Sequence, residues 1–562
     1  MRCGAAALAL GLAAAAPLHA QAAGPSAERA APPRLTVGIL GYRFTVTLPD
    51  SGEIITGRAA IRVRRLRAGV PDTVPLDLVG LAVREVLDDA GRPLAASYDG
   101  RVLRAVLPPV PRPGTGTIAV TYTGRPADGL IITTRAGGRR AAFADDWPDR
   151  ARGFIPCVDH PAYKAPVTWE IEAPAALRVV ANGALESVRE APGGRRRWVY
   201  VETRPIPTYT MVFGAAPFAV SRHPPAITGR DTTATEVWTY PEDSAFADSV
   251  PFRRATAIVQ AGSRIIGPFP WLKLAHVESS TRFGGMENSA AIFYADGMYV
   301  GRHMSEGVVR HETAHQWFGD AVTERDWRHL WLSEGFASYF DLVFAAALGD
   351  DSALAQGMRR EARGYFASDV VERPVVDAAA EDLMGLLNAN SYNKGAWVLH
   401  LLRGEVGDSA FFRGIRRYYA TYRDSSVLSE DFERVMERAA GRDLRWFFRQ
   451  WLYQPGYPRL AVTWRVDDAG RRVTLRVRQS QPTLWGRFRL PRVTVRFAAA
   501  GAADDRSLAL DPARAEQTFT FTLPRAPTGV AIDPEGRLLM TAEVRRADGP
   551  DSRGTGALIR GN

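Results

Sequence analysis

The residues with the clearest chemical potential form one short segment, His-Glu-Thr-Ala-His at positions 311–315. The spacing of apolar residues over 308–318 predicts a helix that ends at Gly319. Because residues four apart on a helix project from one face, His311 and His315 can both present an imidazole nitrogen to one metal ion. Glu312 then lies next to that ion, where its carboxylate can take a proton from a bound water molecule.

A third ligand follows at Glu334, in a second predicted helix over 330–348. Eighteen residues separate it from His315, which leaves room for a turn and a returning helix. Two histidines and a carboxylate form a ligand set of catalytic Zn²⁺, with a fourth position open for water. The sequence therefore predicts a catalytic zinc site, and activated water beside a polarised carbonyl suits amide hydrolysis. The alternative is a solvated helix whose histidines make only local hydrogen bonds.

The composition indicates a globular chain of several domains. Of its 562 residues 46% are hydrophobic and 23% charged, which excludes disordered, collagen-like and coiled-coil classes. The 71 basic and 61 acidic residues give a net charge of +10, and Lys164, Lys273 and Lys394 are the only lysines. Arginines are spread along the chain in short groups, which favours a solvated basic surface over a patch for an acidic partner. We expect no nucleic-acid partner.

The first twenty residues have the pattern of a secretory signal peptide. Arg2 precedes an apolar run over 5–16, and Leu-His-Ala at 18–20 is a candidate cleavage site, with 20–22 as an alternative. The other interpretation, a membrane anchor, needs about 20 apolar residues, and the run is shorter. We therefore expect export to the periplasm or outside the cell, without stable membrane insertion after signal removal. Cys3 lies in this leader, so only Cys157 remains in the mature chain.

Hydrophobic periodicity divides the rest of the chain. Residues 21–34 are rich in Ala, Pro and Gly and predict a linker, and 35–224 are dense in short alternating segments typical of an antiparallel β domain. Helical spacing dominates the predicted catalytic domain, 225–456, at 252–266, 308–318, 330–348 and 396–406. Strand patterns return at 460–466, 473–477 and 493–497 in a third domain, 457–545, followed by a loose tail at 546–562.

A second motif gives the sequence a resemblance to a known family. The segment 284–288, Gly-Gly-Met-Glu-Asn, matches the G-x-M-E-N exopeptidase motif of the aminopeptidase N family of gluzincin zinc metallopeptidases, which also includes leukotriene-hydrolase-type enzymes. Similar stretches occur in the family's order at 154–161, 267–270, 331–339 and 392–395. The resemblance implies a multidomain α+β fold with an N-terminal antiparallel β domain, a thermolysin-like α/β catalytic domain and a C-terminal β-sandwich. It also implies a short form without the helical C-terminal domain of many relatives.

The resemblance also implies roles for residues outside the zinc signature. Glu287 would bind the free α-ammonium of the substrate, within a substrate-binding set completed by Gly284, Gly285, Met286 and Asn288. The two glycines would let the strand edge approach the peptide backbone. Tyr392 matches the tyrosine whose hydroxyl stabilises the tetrahedral oxyanion. Without the family context, Glu287 is an ordinary acidic residue and Tyr392 a packed aromatic residue.

Three positions depart from the family pattern. The family places a Gln or Glu about ten residues before the cysteine of its 154–161 motif as a second anchor for the amine. A gap-free count from Cys157 reaches Trp147, so we assign that role to Asp146, with Asp145 as the alternative. Asp320 and Ser333 stand where asparagines are usual; they alter hydrogen bonds around the zinc ligands without removing a ligand.

The function predicted from the sequence is that of an exported zinc aminopeptidase with one Zn²⁺ per chain, acting on peptides with a free N-terminus. The enzymatic alternatives are a gluzincin endopeptidase and an epoxide hydrolase of the leukotriene-hydrolase type. A non-catalytic scaffold is the alternative from another class, and the presence of all four zinc-site residues argues against it. The sequence leaves open the preferred side chain at the cleaved residue, the physiological substrate and the oligomeric state.

Overall fold

The structure is a computed structural model that describes residues 30–65, 68–110, 114–135, 138–229, 231–467, 470–499 and 501–547. The predicted signal peptide, residues 21–29 of the predicted linker and residues 548–562 of the predicted tail lie outside these ranges. Within them, every helix is too short or too polar to cross a membrane.

The N-terminal unit is built almost entirely of strands. Most of them alternate between buried and exposed side chains, as the sequence pattern predicts. In chain order the described strands are β1 (Val37–Thr47), β2 (Ile55–Arg65), β3 (Asp72–Asp77), β4 (Ala82–Leu87), β5 (Ala95–Tyr98), β6 (Val102–Leu107), β7 (Gly114–Gly124), β8 (Leu130–Thr134), β9 (Arg140–Ala144), β10 (Ala165–Pro174), β11 (Arg178–Ala181), β12 (Ala184–Ala191), β13 (Arg195–Ile206) and β14 (Phe213–Ala216).

These strands form three sheets, in the orders β12-β13-β10-β1-β2-β7-β4, β11-β14-β9-β8 and β3-β6-β5. Pairing is antiparallel except between β1 and β10, which run parallel with Tyr42 opposite Val167. The core between the sheets is aromatic: Trp169 packs against Phe44, Phe154 and Phe213 with ring centroids 5.2–6.4 Å apart. The predicted antiparallel β domain is confirmed, with this one parallel pair added.

The catalytic unit combines a mixed sheet with helices. Its described elements in chain order are β15 (Ala219–Thr228), β16 (Asp231–Thr239), α1 (Ser244–Ser249), α2 (Ala255–Ile265), β17 (Lys273–Ser279), β18 (Gly285–Met286), β19 (Ala291–Ala295), α3 (Gly297–Val300), α4 (Glu306–His315), β20 (Val322–Glu324), α5 (Trp331–Ala347), α6 (Ala353–Ala367), α7 (Gly395–Val406), α8 (Asp408–Tyr422), β21 (Ser425–Val427), α9 (Ser429–Ala440) and α10 (Arg445–Tyr453).

The main sheet of this unit has the order β15-β16-β17-β19-β18, with β16, β17 and β19 parallel and an antiparallel strand at each edge. The domain boundary predicted at 224/225 falls inside β15, because β15 pairs with β16 and belongs to this sheet. α4 lies near β18 and packs against α5. This arrangement brings the edge strand and the two predicted zinc helices together.

The C-terminal unit follows α10 and consists of two sheets. Its described strands are β22 (Arg459–Val466), β23 (Arg472–Gln479), β24 (Leu490–Ala499), β25 (Ala502–Leu510), β26 (Glu516–Thr522), β27 (Gly529–Ile532) and β28 (Thr541–Arg546). They pair in the orders β26-β23-β22-β28 and β25-β24-β27. Phe497 of one sheet packs against Phe521 of the other, with centroids 5.4 Å apart. The multidomain α+β fold is thus confirmed.

Residues 30–34, the described end of the predicted linker, lie against the folded units. The Ala30 carbonyl accepts a hydrogen bond from the main chain of Trp327 at 3.1 Å and lies 3.1 Å from His160 Nε2. The Tyr163 hydroxyl donates to the Pro33 carbonyl. The composition predicted a linker here because its Ala and Pro carry no side-chain signal for these main-chain hydrogen bonds.

Candidate active site

Two helices present the three predicted metal ligands to one point. His311 and His315 project from the same face of α4, and their Nε2 atoms are 3.1 Å apart. Glu334 lies in the first turn of α5, with its Oε2 3.4 Å from His311 Nε2 and 3.3 Å from His315 Nε2. The returning helix that the eighteen-residue gap requires is therefore α5.

This donor set fits a zinc ion. Tetrahedral zinc with bonds of 2.0–2.2 Å places its ligand atoms about 3.3 Å from one another. The three separations of 3.1, 3.3 and 3.4 Å match that spacing. Glu334 Oε2 is buried and faces the two imidazole nitrogens, as expected of an atom that binds the same metal ion.

The turn after α4 orients one of the two imidazoles. The helix ends at His315, three residues before the end of the periodic segment predicted from the sequence, and Gly319 follows with φ +124°. The tight turn brings the Phe318 carbonyl to within 3.2 Å of His315 Nδ1, and the Ser333 hydroxyl lies 3.0 Å from the same atom. These partners leave Nε2 free for a metal ion.

Replacing Ser333 by alanine tests this orientation. Because the Phe318 carbonyl still accepts from His315 Nδ1–H, we expect a loss of about tenfold in zinc affinity, at the lower end of the range for such partners. Competition with a chelator of known affinity measures it. The matched control is Ser338→Ala, on the same helix and with no hydrogen bond to His315. Equal affinity of the Ser333 variant and the wild type would show that Phe318 alone orients the ring.

Glu287 and Glu312 stand next to the ligand set. Ligand atoms of Glu287, Glu312 and His315 lie within 4.8 Å of one another, and all three residues are buried. Gln316, which the sequence analysis missed, holds this geometry: its Nε2 donates to the Glu287 carbonyl at 2.7 Å and its Oε1 accepts from the Ala290 main chain at 2.9 Å. The end of α4, which carries the two histidines, is thus bonded directly to the loop that carries Glu287. The only sequence signal for this role is the position immediately after His315.

Gly285 and Met286 of the 284–288 motif form the edge strand beside Glu312. In β18, Gly285 pairs with Tyr294 and Met286 with Phe293, and the other side of this strand pairs with no strand among the described residues. A Cβ atom at Gly285 would overlap the Glu312 side chain, so glycine lets the strand pass without displacing that carboxylate. Met286 and Asn288 are buried, and the Gly284 carbonyl accepts from the Ala295 main chain at 3.2 Å.

Tyr392 belongs to a third segment of the chain beside the ligand set. It lies in a π-helical turn, Asn390–Lys394, at the start of α7, and its ring stacks parallel to His311 with centroids 6.1 Å apart. Gly395, which follows the turn, packs its main chain against Gly335, with no space for a Cβ atom at either position. This close approach of α7 to α5 sets Tyr392 beside Glu334. π-helical turns of this kind are frequent at functional sites.

The carboxylates of the site have perturbed pKa values. Burial would raise the pKa of Glu334, but the charge of His315 together with hydrogen bonds from His311 and His315 outweighs it and lowers the pKa to about 2. Burial raises the pKa of Glu287 to about 7, against the lowering effect of His315. Burial raises the pKa of Glu312 as well. Strongly perturbed carboxyl groups in one buried cluster are typical of catalytic sites.

The structure separates the two candidates for the second amine anchor. Asp146 is fully buried, and burial together with neighbouring Asp159 and Asp145 raises its pKa. Asp145 instead faces the segment before Gly284: it accepts from the Thr281 hydroxyl at 2.8 Å and from Arg150 at 2.9 Å. Asp145 is thus the residue that bonds the loop before the 284–288 motif, and the assignment of the second amine anchor to Asp146 stays a prediction.

Asp320 and Lys164 form a further contact behind the site. The Lys164 ammonium donates to the carbonyls of Asp320 and Ala321 at 2.6 and 2.9 Å, which ties the start of β10 to the loop after the zinc helix. Asp320 is fully buried, and its main-chain N–H bonds to the His315 carbonyl at 3.1 Å. Of the two departures near the zinc helices, Ser333 therefore contacts a ligand ring and Asp320 a ligand main chain.

A zinc ligand set on two packed helices, beside an edge-strand loop that carries Glu287, defines a metallopeptidase-type site. Two family models match the chain: the peptidase M1 N-terminal domain over 91–210 and the peptidase family M1 domain over 254–451, together more than half of it. The chain belongs to peptidase family M1, an aminopeptidase N-type family of zinc metallopeptidases, and its cofactor is zinc.

Curated relatives agree with this assignment. "Probable aminopeptidase 2" of Sulfurisphaera tokodaii is 29% identical over 328 residues, which cover 56% of this chain and 41% of the relative. "Leucyl aminopeptidase" of Saccharolobus solfataricus is 26% identical over 432 residues, 72% of this chain and 52% of the relative. The chain spans about half the length, or less, of these relatives.

Solved structures show the same fold. An M1 zinc metallopeptidase from Deinococcus radiodurans is 27% identical with a TM-score of 0.67, covering 77% of this chain and 98% of that one. Aminopeptidase A of Legionella pneumophila, solved with aspartic acid, is 18% identical with a TM-score of 0.78 over 91% of this chain and 60% of that one. At this identity the second likeness concerns the fold alone.

Proposed function

We propose that this chain is an exported zinc aminopeptidase that removes single residues from the free N-terminus of peptides. The observation that carries the proposal is the position of Glu287, whose carboxylate lies within 4.8 Å of ligand atoms of Glu312 and His315. A fixed carboxylate at that place pairs with an α-ammonium and leaves the first peptide bond at the metal. The aminopeptidase names of the relatives support the same activity.

The residues of the site divide the chemistry among them. When bound, Zn²⁺ supplies a Lewis acid that polarises the scissile carbonyl and acidifies a water molecule. Glu312 accepts the proton of the attacking water and delivers it to the leaving amine. Tyr392 donates its hydroxyl hydrogen to the oxygen that gains negative charge. Glu287 holds the substrate ammonium through both steps.

The edge strand β18 aligns the substrate backbone. Its outer side pairs with no strand among the described residues, so its main-chain groups can bond an extended peptide. Because Gly285 has no side chain, the peptide can approach this edge while Glu312 stays in place. An endopeptidase would need a longer chain to pass Glu287, and the buried carboxylate makes that path unfavourable.

Hydrolysis of a panel of aminoacyl-arylamides by the purified mature chain tests the proposed activity. We expect release from some members of the panel, loss of release with a zinc chelator, and recovery on addition of Zn²⁺. The panel also ranks the preferred side chain of the cleaved residue. A chain that binds zinc stoichiometrically and releases no arylamide would favour an endopeptidase or an epoxide hydrolase.

Export is supported by the charged start, the apolar run and the small residues of positions 1–20. Expression of the full sequence in a bacterial host, followed by fractionation and N-terminal sequencing, tests it. We expect an exported chain that begins after Ala20 or Ala22. A cytoplasmic chain that keeps residues 1–20 would contradict this part of the proposal.

A further inference from the structure

We propose that the C-terminal β unit contributes to catalysis because its Trp485 loop, residues 482–486, holds Tyr392 in position. The positioning residues are Trp485 in that loop and Lys394 in the turn that carries Tyr392. The inference rests on the proposed function, because it assigns the support of the oxyanion donor. It concerns the Tyr392 segment, residues 368–394, which connects α6 to α7.

The Tyr392 segment has little regular structure of its own. It contains two short 3₁₀ turns, 369–372 and 384–386, and the π-helical turn that carries Tyr392. Asn390 closes it on itself, since its Nδ2 donates to the carbonyls of Val370 and Arg373 at 2.9 and 3.1 Å. Long irregular segments in compact domains are usually functional and need outside support to keep one geometry.

The first support is a bond from the Trp485 loop to the start of the segment. Trp485 is buried, and its Nε1–H donates to the Glu372 carboxylate at 2.7 Å. The indole packs against Tyr457 with centroids 5.3 Å apart, and the Arg459 guanidinium lies 4.7 Å above the ring. These contacts fix the Trp485 loop on the C-terminal unit, independently of its bond to the Tyr392 segment.

The approach of the loop is close. Gly456 has φ +75°, a Cβ atom there would overlap the Trp485 indole, and its N–H donates to the Val371 carbonyl at 2.8 Å. The chain that leaves the catalytic unit therefore passes between the indole and the Tyr392 segment, where there is space for glycine but not for a side chain.

The second support reaches the end of the segment through Lys394. Its side chain is fully buried, and its ammonium donates to the Gln454 carbonyl at 3.1 Å and faces the Tyr365 ring at 5.5 Å. The Gln454 amide in turn donates to the Trp485 carbonyl at 2.5 Å. Since Lys394 lies two residues after Tyr392 in the same turn, this chain of bonds links the Trp485 loop to the oxyanion donor.

A double-mutant cycle separates positioning from general stability. We expect Tyr392→Phe to lower kcat by about 10²–10³. Trp485→Phe keeps the ring packing but removes the donor to Glu372, and Lys394→Met keeps the length of the side chain but removes the ammonium. Each should lower kcat by about tenfold, because misplacement of a catalytic group by about 1 Å costs up to 10²-fold. KM and zinc content should stay within twofold of wild type.

The decisive result is the effect of the two positioning substitutions on kcat in the Tyr392→Phe background. There we expect the two positioning variants to lower kcat by less than twofold further, because the group they position is absent. Leu484→Ala is the matched control: it lies in the same loop, 89% exposed, and should leave kcat unchanged. Full tenfold losses in both backgrounds, or no loss in either, would overturn the inference.

A second measurement is independent of turnover. Hydrogen exchange should become faster over residues 368–394 in both positioning variants and stay unchanged in Leu484→Ala. If Trp485→Phe fails to fold, Glu372→Ala, at an exposed residue, removes the acceptor of the same hydrogen bond and gives the same expectations. Unchanged exchange over the segment overturns the inference, whereas a wild-type chain without hydrolysis overturns only the proposed function.

Discussion

Glu312→Gln is expected to lower kcat by about 10²–10⁴ while the protein keeps its zinc. The amide has nearly the same shape as the carboxylate but takes no proton, so the substitution removes the base alone. The three ligand atoms, on His311, His315 and Glu334, are not altered. Single-turnover kinetics on a good arylamide substrate, with metal content determined on the same sample, measures the effect.

Glu306→Gln provides the matched control for this variant. Glu306 lies in the first turn of the same helix, where it bonds Arg254 and Arg310 away from the metal ligands. We expect this control to keep kcat within about twofold. Retained turnover in Glu312→Gln, with the control also active, would show that another group takes the proton.

The second large effect is expected for Glu287→Gln. Removing one partner of a buried charge pair costs about 2–5 kcal/mol, so kcat/KM for free-amine substrates should fall by about 30-fold to 4,000-fold. The Gln316 amide bonds the Glu287 main-chain carbonyl, so the loop itself should stay in place. Steady-state kinetics with an aminoacyl-arylamide measures the loss.

An inhibitor that binds the metal without an amine gives the control for Glu287→Gln. A simple hydroxamate should bind the variant and the wild type with equal affinity, because the ligand set is the same in both. A loss of hydroxamate affinity as large as the loss of kcat/KM would mean that the substitution disturbs the zinc site. An unchanged kcat/KM would remove Glu287 from amine recognition.

The core of the site could be predicted from the sequence because it depends on local spacing. Two histidines four apart share a helix face wherever the helix packs, and α5 returns within the interval that the chain allows. The helices predicted at 252–266, 330–348 and 396–406 were found at 255–265, 331–347 and 395–406. Strong periodicity makes such elements readable from the local sequence.

The residues that support the site could not be predicted, because their partners are distant in sequence. Gln316 bonds a carbonyl 29 residues away, and the Trp485 donor reaches across 113 residues to Glu372. Lys273 and Lys394 are buried and Lys164 is half-buried, and all three bond main-chain carbonyls of other elements, as Lys273 does with Ala181. Nothing in the local sequence indicates which carbonyls these lysines meet.

The choice between Asp145 and Asp146 illustrates the same limit. Both residues directly follow β9, yet their carboxylates have different surroundings. The carboxylate of Asp145 meets Thr281, in the loop before the 284–288 motif, whereas that of Asp146 lies in the interior beside Asp159. A shift of one residue therefore decides the surroundings of the carboxylate. Motif spacing located the pair, and only the packed structure distinguishes its members.

The most direct test of the central claim compares a peptide of about ten residues with its N-acetylated copy. The purified, zinc-loaded chain is incubated with each, and the products are followed by mass spectrometry. We expect the free peptide to lose single residues in order from its N-terminus and the acetylated copy to stay intact. Equal cleavage of both peptides, or internal fragments from either, would contradict the assignment of an aminopeptidase whose Glu287 binds the free amine.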